Sequence, residues 1–370
     1  MPSRPRAALT GGRGSPSRPR TGIISGYVFR LAREQLGHTQ ESLAEQLQVS
    51  PDTIAGWESG RRPLTAVPVG QMLVHRHLLL QLGTAPALLQ ALERGMEADV
   101  LLASALNGPK PVETSPLGAW VMQRDLVEVL VWPLNHTPPQ PIRTLPAPPR
   151  PRHGPVPAAP EMSSTDCRRF FTQMRRTAER ACGEAQFLLR RQALYLCGYD
   201  KAADTPEWLT HQQGLGRPSN WLHDWLNARS VAAVAARQGD RDRMRHYIES
   251  ALSDEAGEAA NLNYWAYWIG ETAHLELSDG FIASRTTGPW PGNKLLAHLA
   301  QGLSPRYGYV ELNIHSLWAL LAVRPNLLKS GAAAHALRER LPVMLDSREL
   351  SDRARRELDS IRYAIRLAEA

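Results

Sequence analysis

The stretch Gly37 to Pro63, GHTQESLAEQLQVSPDTIAGWESGRRP, constrains the chain most, because its apolar residues fit only two short helices joined by a tight turn. Leu43, Ala44 and Leu47 fall at helical spacing on one face, and Ile54 and Trp57 resume the pattern after a break at Gln48 and Val49. Thr39 stands where the first helix needs a side-chain oxygen at its N-cap. Ser50 followed by Pro51 gives the second helix a cap and a first residue of pre-set φ, and Gly60 stops it. Helices this short cannot bury their apolar faces alone, so the flanks must supply the rest of a core. Ahead lie Tyr27, Val28, Leu31 and Leu36; behind lie VPVGQMLVHRHLLLQLG and a Leu/Ala-rich helix from about Pro86 to Leu106. A compact five-helix unit over residues 23–106 is expected.

From residue 24 to 65 the chain resembles the helix-turn-helix of the phage-repressor (XRE) family of DNA-binding regulators. The resemblance is most specific in SPDTIAGWESGRRP, where helix, stop and basic exit follow the family order without a gap. It implies that Ser50–Ser59 is the recognition helix, laid in the major groove of double-stranded DNA with its first residues at base edges. By the same resemblance Gln40 holds a phosphate and braces a base contact, while Pro51, Asp52 and Gly56 take base-reading positions. Asp52 suits a cytosine amino group and Pro51 a thymine methyl, but Gly56 offers no side chain. Ser50, Thr53, Ser59, Arg61 and Arg62 suit the phosphate backbone, which fixes register. Arg33 and Glu58 occupy positions where family members pair helix one with the recognition helix, so a structural ion pair is expected there. Gln48 departs from the pattern: the family places Gly in the turn, and a non-Gly residue at positive φ costs about 1 kcal/mol. The alternative to all of this is a helical hairpin with no DNA role.

A length of 370 residues suggests two domains, and 43% hydrophobic residues suffice to fold them. Leu, Ala and Arg dominate, Phe and Ile are few, and long alternating runs are missing, which points to an all-α protein. Charges interrupt every apolar run before it could span a bilayer, so a soluble chain without membrane contact is expected. Cys167, Cys182 and Cys197, unpaired in spacing, suit a reducing interior and read as small core residues. The net charge of +7 suits a nucleic-acid partner, yet it is unevenly placed. Residues 1–22 carry Arg4, Arg6, Arg13, Arg18 and Arg20 and no acid, whereas four Arg meet five acids between Ile23 and Thr65. The first segment reads as a disordered basic arm adding phosphate or minor-groove contacts, or equally as a solvated leader.

After the fifth helix comes LGAWVMQRDLVEVLVW, a helix with Trp120, Val121, Val127, Leu130 and Val131 on its apolar face and no evident partner. Pro133 to Pro160 then places 11 prolines in 28 residues, a density that disfavours helix and sheet and suits an extended spacer; the rival reading is a proline-rich protein ligand. Residues 107–160 are therefore a linker helix and spacer, and 161–370 a second domain. There, ARSVAAVAARQGDRDRMRHYIESALSDE resembles a tetratricopeptide-type helix pair. Further pairs fall around NLNYWAYWIGETAHLELSDG and Tyr309 to Leu345, with an insertion near 280–294 and a closing amphipathic helix bearing Leu358, Ile361 and Ile365. Stacked pairs form a solenoid whose concave face binds a peptide or protein, so a sensor or assembly domain is expected. Asn227, Asn263 and Asn313 each lie in the first helix of a pair, where their amides would hold an effector's backbone; Trp225, Trp265, Trp268 and Trp318 sit nearby. The plainer reading makes the tryptophans core and the asparagines surface residues.

Catalytic motifs are missing: no GxSxG, phosphate loop, GxGxxG after a strand, or HExxH. His75 and His77 are two apart on a helix, so they share no face, and the cysteines lack zinc spacing. No enzyme, metal or cofactor is expected. The chain reads as a cytoplasmic, prokaryotic transcriptional regulator, a homodimer on paired half-sites, whose C-terminal domain senses or assembles. The rival is a helical-repeat adaptor or antitoxin-like protein in which DNA contact is secondary or absent.

Overall fold

The computed structural model describes residues 21–108, 111, 114–147, 157–215, 220–237, 239–272, 274–329 and 332–369. The basic arm expected at residues 1–22 lies almost wholly outside them. The fold is all-α, with no strand among the described residues. No helix among them is long and apolar enough to cross a membrane.

The N-terminal unit comprises α1 (Ile23–Gln35), α2 (Gln40–Leu47), α3 (Pro51–Glu58), α4 (Val69–Gln81) and α5 (Pro86–Leu106). Two of these helices start on their own caps: Thr39 Oγ1 accepts from Ser42 N at 3.1 Å and Ser50 Oγ from Thr53 N at 3.1 Å. The start of α1 has no cap of its own. Asp99, from α5, supplies it by accepting from Ile24 N at 3.1 Å, Ser25 N at 2.9 Å and Ser25 Oγ at 2.6 Å. Burial pushes the Asp99 carboxyl up to about 6, against the pull of those bonds. Around this frame Tyr27, Val28, Phe29, Leu43, Leu47, Ile54, Trp57, Leu88 and Leu92 close the first core. Trp57 meets Phe29 edge-on at 5.6 Å and leans on buried His75, whose pKa burial lowers.

Helix α5 runs on from this core into a second. Its Ala98, Leu101, Leu102 and Leu106 pack with α6 (Arg124–Asn135), α8 (Ser164–Arg180), α9 (Phe187–Cys197) and α10 (Thr205–Leu215). Helix α6 therefore finds its partner in α5; it starts at Arg124, and ahead of it Val121 N donates to Glu276 O and Met122 N to Gln192 Oε1, each at 2.7 Å. The described part of the proline-rich stretch is not a free spacer. Pro133 sits in the last turn of α6, and α7 (Gln140–Arg143) packs on α5. Tyr27 Oη donates to Pro157 O at 3.1 Å, Gln35 Nε2 donates to Pro146 O at 2.7 Å, and Ala159 enters the first core. Extended chain leaves its carbonyls unpaired, and the N-terminal unit offers donors for them. Of the cysteines, Cys197 is core, Cys167 half-buried and Cys182 exposed just beyond the end of α8.

The third core gathers α11 (Trp221–Arg237), α12 (Arg241–Ala251), α13 (Glu255–Trp268), α14 (Asn293–Gln301), α15 (Val310–Val323), α16 (Ala332–Leu345) and α17 (Asp352–Glu369). Helices α11 and α12 form a hairpin turned at Gly239, φ +88°, with Asp240 capping α12. Beyond them, α15 is buried nearly all round and lies against α12, α13, α14 and α17, while α16 packs on α14 and α17. Leu358, Ile361 and Ile365 of α17 close this core.

Second and third cores meet where Arg124 Nη1 donates to His298 Nδ1 at 2.7 Å. A guanidinium has no acceptor, so His298 must be neutral with Nδ1 bare. Burial first, and the Arg124 charge second, depress its pKa to about 3. Below pH 6.5 the unfolded chain takes up a proton that the native state refuses, so stability falls as pH drops towards 3. At pH 5 the loss relative to pH 8 is expected to be about 2 kcal/mol. Unfolding free energies measured across that range should fall less steeply in His298→Asn, by this amount; equal slopes would exclude the effect.

Candidate nucleic-acid interface

Helices α1, α2 and α3 are locked by one buried-edge node. Arg33 Nε and Nη2 donate to Glu58 Oε1 and Oε2 at 2.5 and 3.0 Å, and its Nη1 donates to His38 O at 2.9 Å. Gln40 Nε2 adds a bond to Glu58 Oε2 at 2.8 Å. The two charged side chains are only 12% and 6% exposed, so the node sets the angle between helices more than it adds net stability. Gln40, placed by resemblance at a phosphate, commits its amide to Glu58 in the free protein.

The turn between α2 and α3 pivots on Gln48, at φ 53° and ψ 43°. Val49 N reaches back to Ala44 O at 3.0 Å, which closes α2 in spite of the non-glycine residue. Helix α3 then approaches α1 at Gly26: a Cβ there would lie 2.1 Å from the Trp57 carbonyl oxygen. Only glycine lets the two backbones come this close.

The outer face of α3 carries Pro51, Asp52 and Ser59, all exposed, with Ser50 exposed at its cap and Thr53 half-buried. Asp52 is already engaged. Arg61 Nη2 lies 2.5 Å from its Oδ1 and Arg62 Nη2 lies 3.0 Å from its Oδ2. Arg62 Nη1 also donates to Thr53 Oγ1 at 3.0 Å. The Arg61 hydrogen bond and charge, with Arg62 adding, hold the Asp52 carboxyl below its ordinary range. Gly56, expected at a base-reading position, is not on the exposed face of α3: the Arg62 stem covers it, and a Cβ would meet Arg62 Cδ at 3.0 Å. Arg62 N donates to Gly56 O at 2.9 Å, so the basic exit folds back over the helix it follows.

The three asparagines do not share an open wall. Asn263 is buried, accepting from Gly288 N at 2.8 Å and Trp290 Nε1 at 3.1 Å and donating to Thr286 O at 3.1 Å, so it pins the insertion after α13. Asn313 is wholly buried and donates to Gly302 O at 3.1 Å. Only Asn227 is half-buried. The chain's own loops take the Asn263 amide on both its nitrogen and its oxygen, and they take Asn313 Nδ2, while Asn313 Oδ1 is buried without a hydrogen-bond partner. Among the described residues no group of acids, histidines and cysteines is placed to hold a metal ion.

A family model described as helix-turn-helix matches residues 29–67, which spans α1 from Phe29 through α3 to Val67. No curated protein and no solved structure matches the chain. Residues 29–67 are thus a helix-turn-helix of the XRE type, the unit of DNA-binding transcription regulators.

Proposed function

We propose that the protein is a sequence-specific DNA-binding transcription regulator, with α3 in the major groove and residues 161–370 binding an effector or assembling the protein. The observation that carries the reading is the Arg33–Glu58–Gln40 node, which fixes α3 against α2 while leaving Ser50, Pro51 and Asp52 exposed. Arg61, Arg62, Ser50, Thr53 and Ser59 take phosphates, Asp52 and Pro51 face bases, and the basic arm of residues 1–22 adds to the backbone contacts. One such helix covers few bases, so the working form is a homodimer on paired half-sites in a prokaryotic cytoplasm. It is not an enzyme.

Asp52 decides between general and specific binding. In the free protein it neutralises the two arginines that a phosphate would take. Asp52→Asn frees them, so non-specific affinity should rise and the slope of log affinity against log salt should steepen by about 1. Arg61→Ala should flatten that slope by about 1. Fluorescence anisotropy on a random duplex at several salt concentrations measures both; slopes unchanged in both variants would remove this face from the DNA contact.

One observation favours the rival adaptor reading. Between α4 and α5 lies an apolar groove of about 390 Å³ lined by Leu64, Val67, Met72, Leu89 and Leu92, with Val69, Leu73 and Val100 exposed at its edge. A protein partner seated there would bind with little salt dependence, unlike DNA.

A further inference from the structure

Arg229, in the middle of α11, is 7% exposed and forms no ion pair with any carboxylate among the described residues. Its buried neighbour Arg191, by contrast, holds Asp279 at 2.7 Å. The Arg229 guanidinium lies over the Tyr264 ring at 4.0 Å, with Trp265 at 5.0 Å and Trp225 at 5.9 Å. Its Nη1 donates to Asn261 Oδ1 at 2.8 Å, and Asn261 Nδ2 is itself spent on Ser316 Oγ at 2.8 Å. Among the described residues, that amide oxygen and the Tyr247 hydroxyl oxygen are the acceptors that meet the cation, against the five N–H groups a guanidinium carries.

Two further donors in the same cluster are orphaned. The Tyr247 hydroxyl faces the Arg229 guanidinium, itself a donor, so its own proton has no acceptor, and the Trp265 indole N–H is buried without a hydrogen-bond partner; the two side chains are 2% and 8% exposed. Buried donors are nearly always satisfied, so a cluster rich in donors and poor in acceptors points to an acceptor from outside the chain. A buried cation faced by rings and an amide but, among the described residues, by no carboxylate favours an anion as that acceptor. The planar fork of arginine matches a carboxylate, and aromatic walls suit an organic group attached to it. Tyr264 and Trp268, both half-buried and stacked 6.3 Å apart, lead from the cluster to the surface.

We propose that the cluster centred on Arg229, between α11, α12 and α13, is a binding site for a carboxylate ligand. The carboxylate takes the free guanidinium N–H groups and the Tyr247 hydroxyl, and its organic part lies along Tyr264 and Trp268. A free small acid and the C-terminal end of a peptide present the same group. The site does not depend on the DNA-binding reading and stands or falls separately from it.

The test is thermal unfolding and tryptophan fluorescence of the full chain titrated with sodium benzoate in one arm and tetra-alanine in the other. Sodium chloride at equal ionic strength and C-terminally amidated tetra-alanine are the controls. A saturable rise in Tm of about 5 °C is expected in at least one carboxylate arm at a hundredfold excess over Kd, absent from its control. Which arm responds separates the small acid from the peptide end. Arg229→Gln should abolish the shift. Tyr247→Phe, which removes one hydroxyl from a packed ring, should keep the fold and weaken binding about tenfold; it decides the matter if Arg229→Gln does not fold. No saturable shift beyond the controls in either arm, or a Tyr247→Phe protein that binds as tightly as the parent, overturns the site and leaves Arg229 a purely structural stacking residue.

Discussion

Gly26→Ala is expected to destabilise the N-terminal unit by about 3 kcal/mol and to abolish DNA binding, although it adds a single methyl group to a helix. The new Cβ would stand 2.1 Å from the Trp57 carbonyl oxygen and 3.2 Å from that of Glu58. Both atoms belong to the α3 backbone, which cannot swing aside as a side chain can. Helices α1 and α3 must separate, and with them goes the Arg33–Glu58 node that aims α3. Alanine otherwise favours a helix over glycine by up to ~1 kcal/mol, so a loss cannot come from propensity. Gly70 in α4 is the control, because a Cβ there meets nothing within 4 Å. Gly70→Ala should be neutral or slightly stabilising. Denaturant unfolding followed by tryptophan fluorescence and far-UV circular dichroism reads both; a Gly26→Ala protein as stable as the parent would mean the two helices have room to spare.

The second large effect lies at the contact between the second and third cores. Arg191, on α9, is 7% exposed and pairs with Asp279, 5% exposed, through bonds of 2.7 and 3.2 Å. Breaking a buried pair from one side strands a charge, so Asp279→Ala should cost about 3–5 kcal/mol. Removing both charges together is different. Arg191→Met with Asp279→Leu should recover most of the loss, since an apolar pair needs no desolvation of ions. A double-mutant cycle from urea midpoints measures the coupling, and a double variant no more stable than Asp279→Ala alone would contradict this account of the pair.

What sequence could and could not give divides by distance along the chain. The N-caps at Thr39 and Ser50, and the helices they open, are legible because cap and helix lie within four residues. The all-α fold is legible from periodicity, and α17 closes its core with the three residues spaced to do so. The cap on α1 is not legible, because Asp99 reaches it from 75 residues away. Nor is the clamp of Arg61 and Arg62 on Asp52: the signal lies in an acid at the start of the helix and two cations past its glycine stop, but only the folded exit brings them together. Gly56 follows from the same fold-back, since Arg62 covers it. In the C-terminal region, Asn263 and Asn313 sit at helix positions that periodicity leaves open, and the loops that bury them come from 25 residues downstream and 11 upstream. The prolines of 133–160 favour extended chain, yet extended chain can lie along a neighbour as readily as cross open solvent.

Whether α3 reads DNA sequence is tested by selection of a randomised duplex pool by the full-length protein at near-physiological salt, with sequencing of the retained fraction and an Asp52→Ala/Arg61→Ala variant in parallel. Enrichment of a short motif, arranged as paired half-sites and lost in the variant, is the predicted result. No enrichment, with equal retention by both proteins, would contradict it and remove α3 as the working surface.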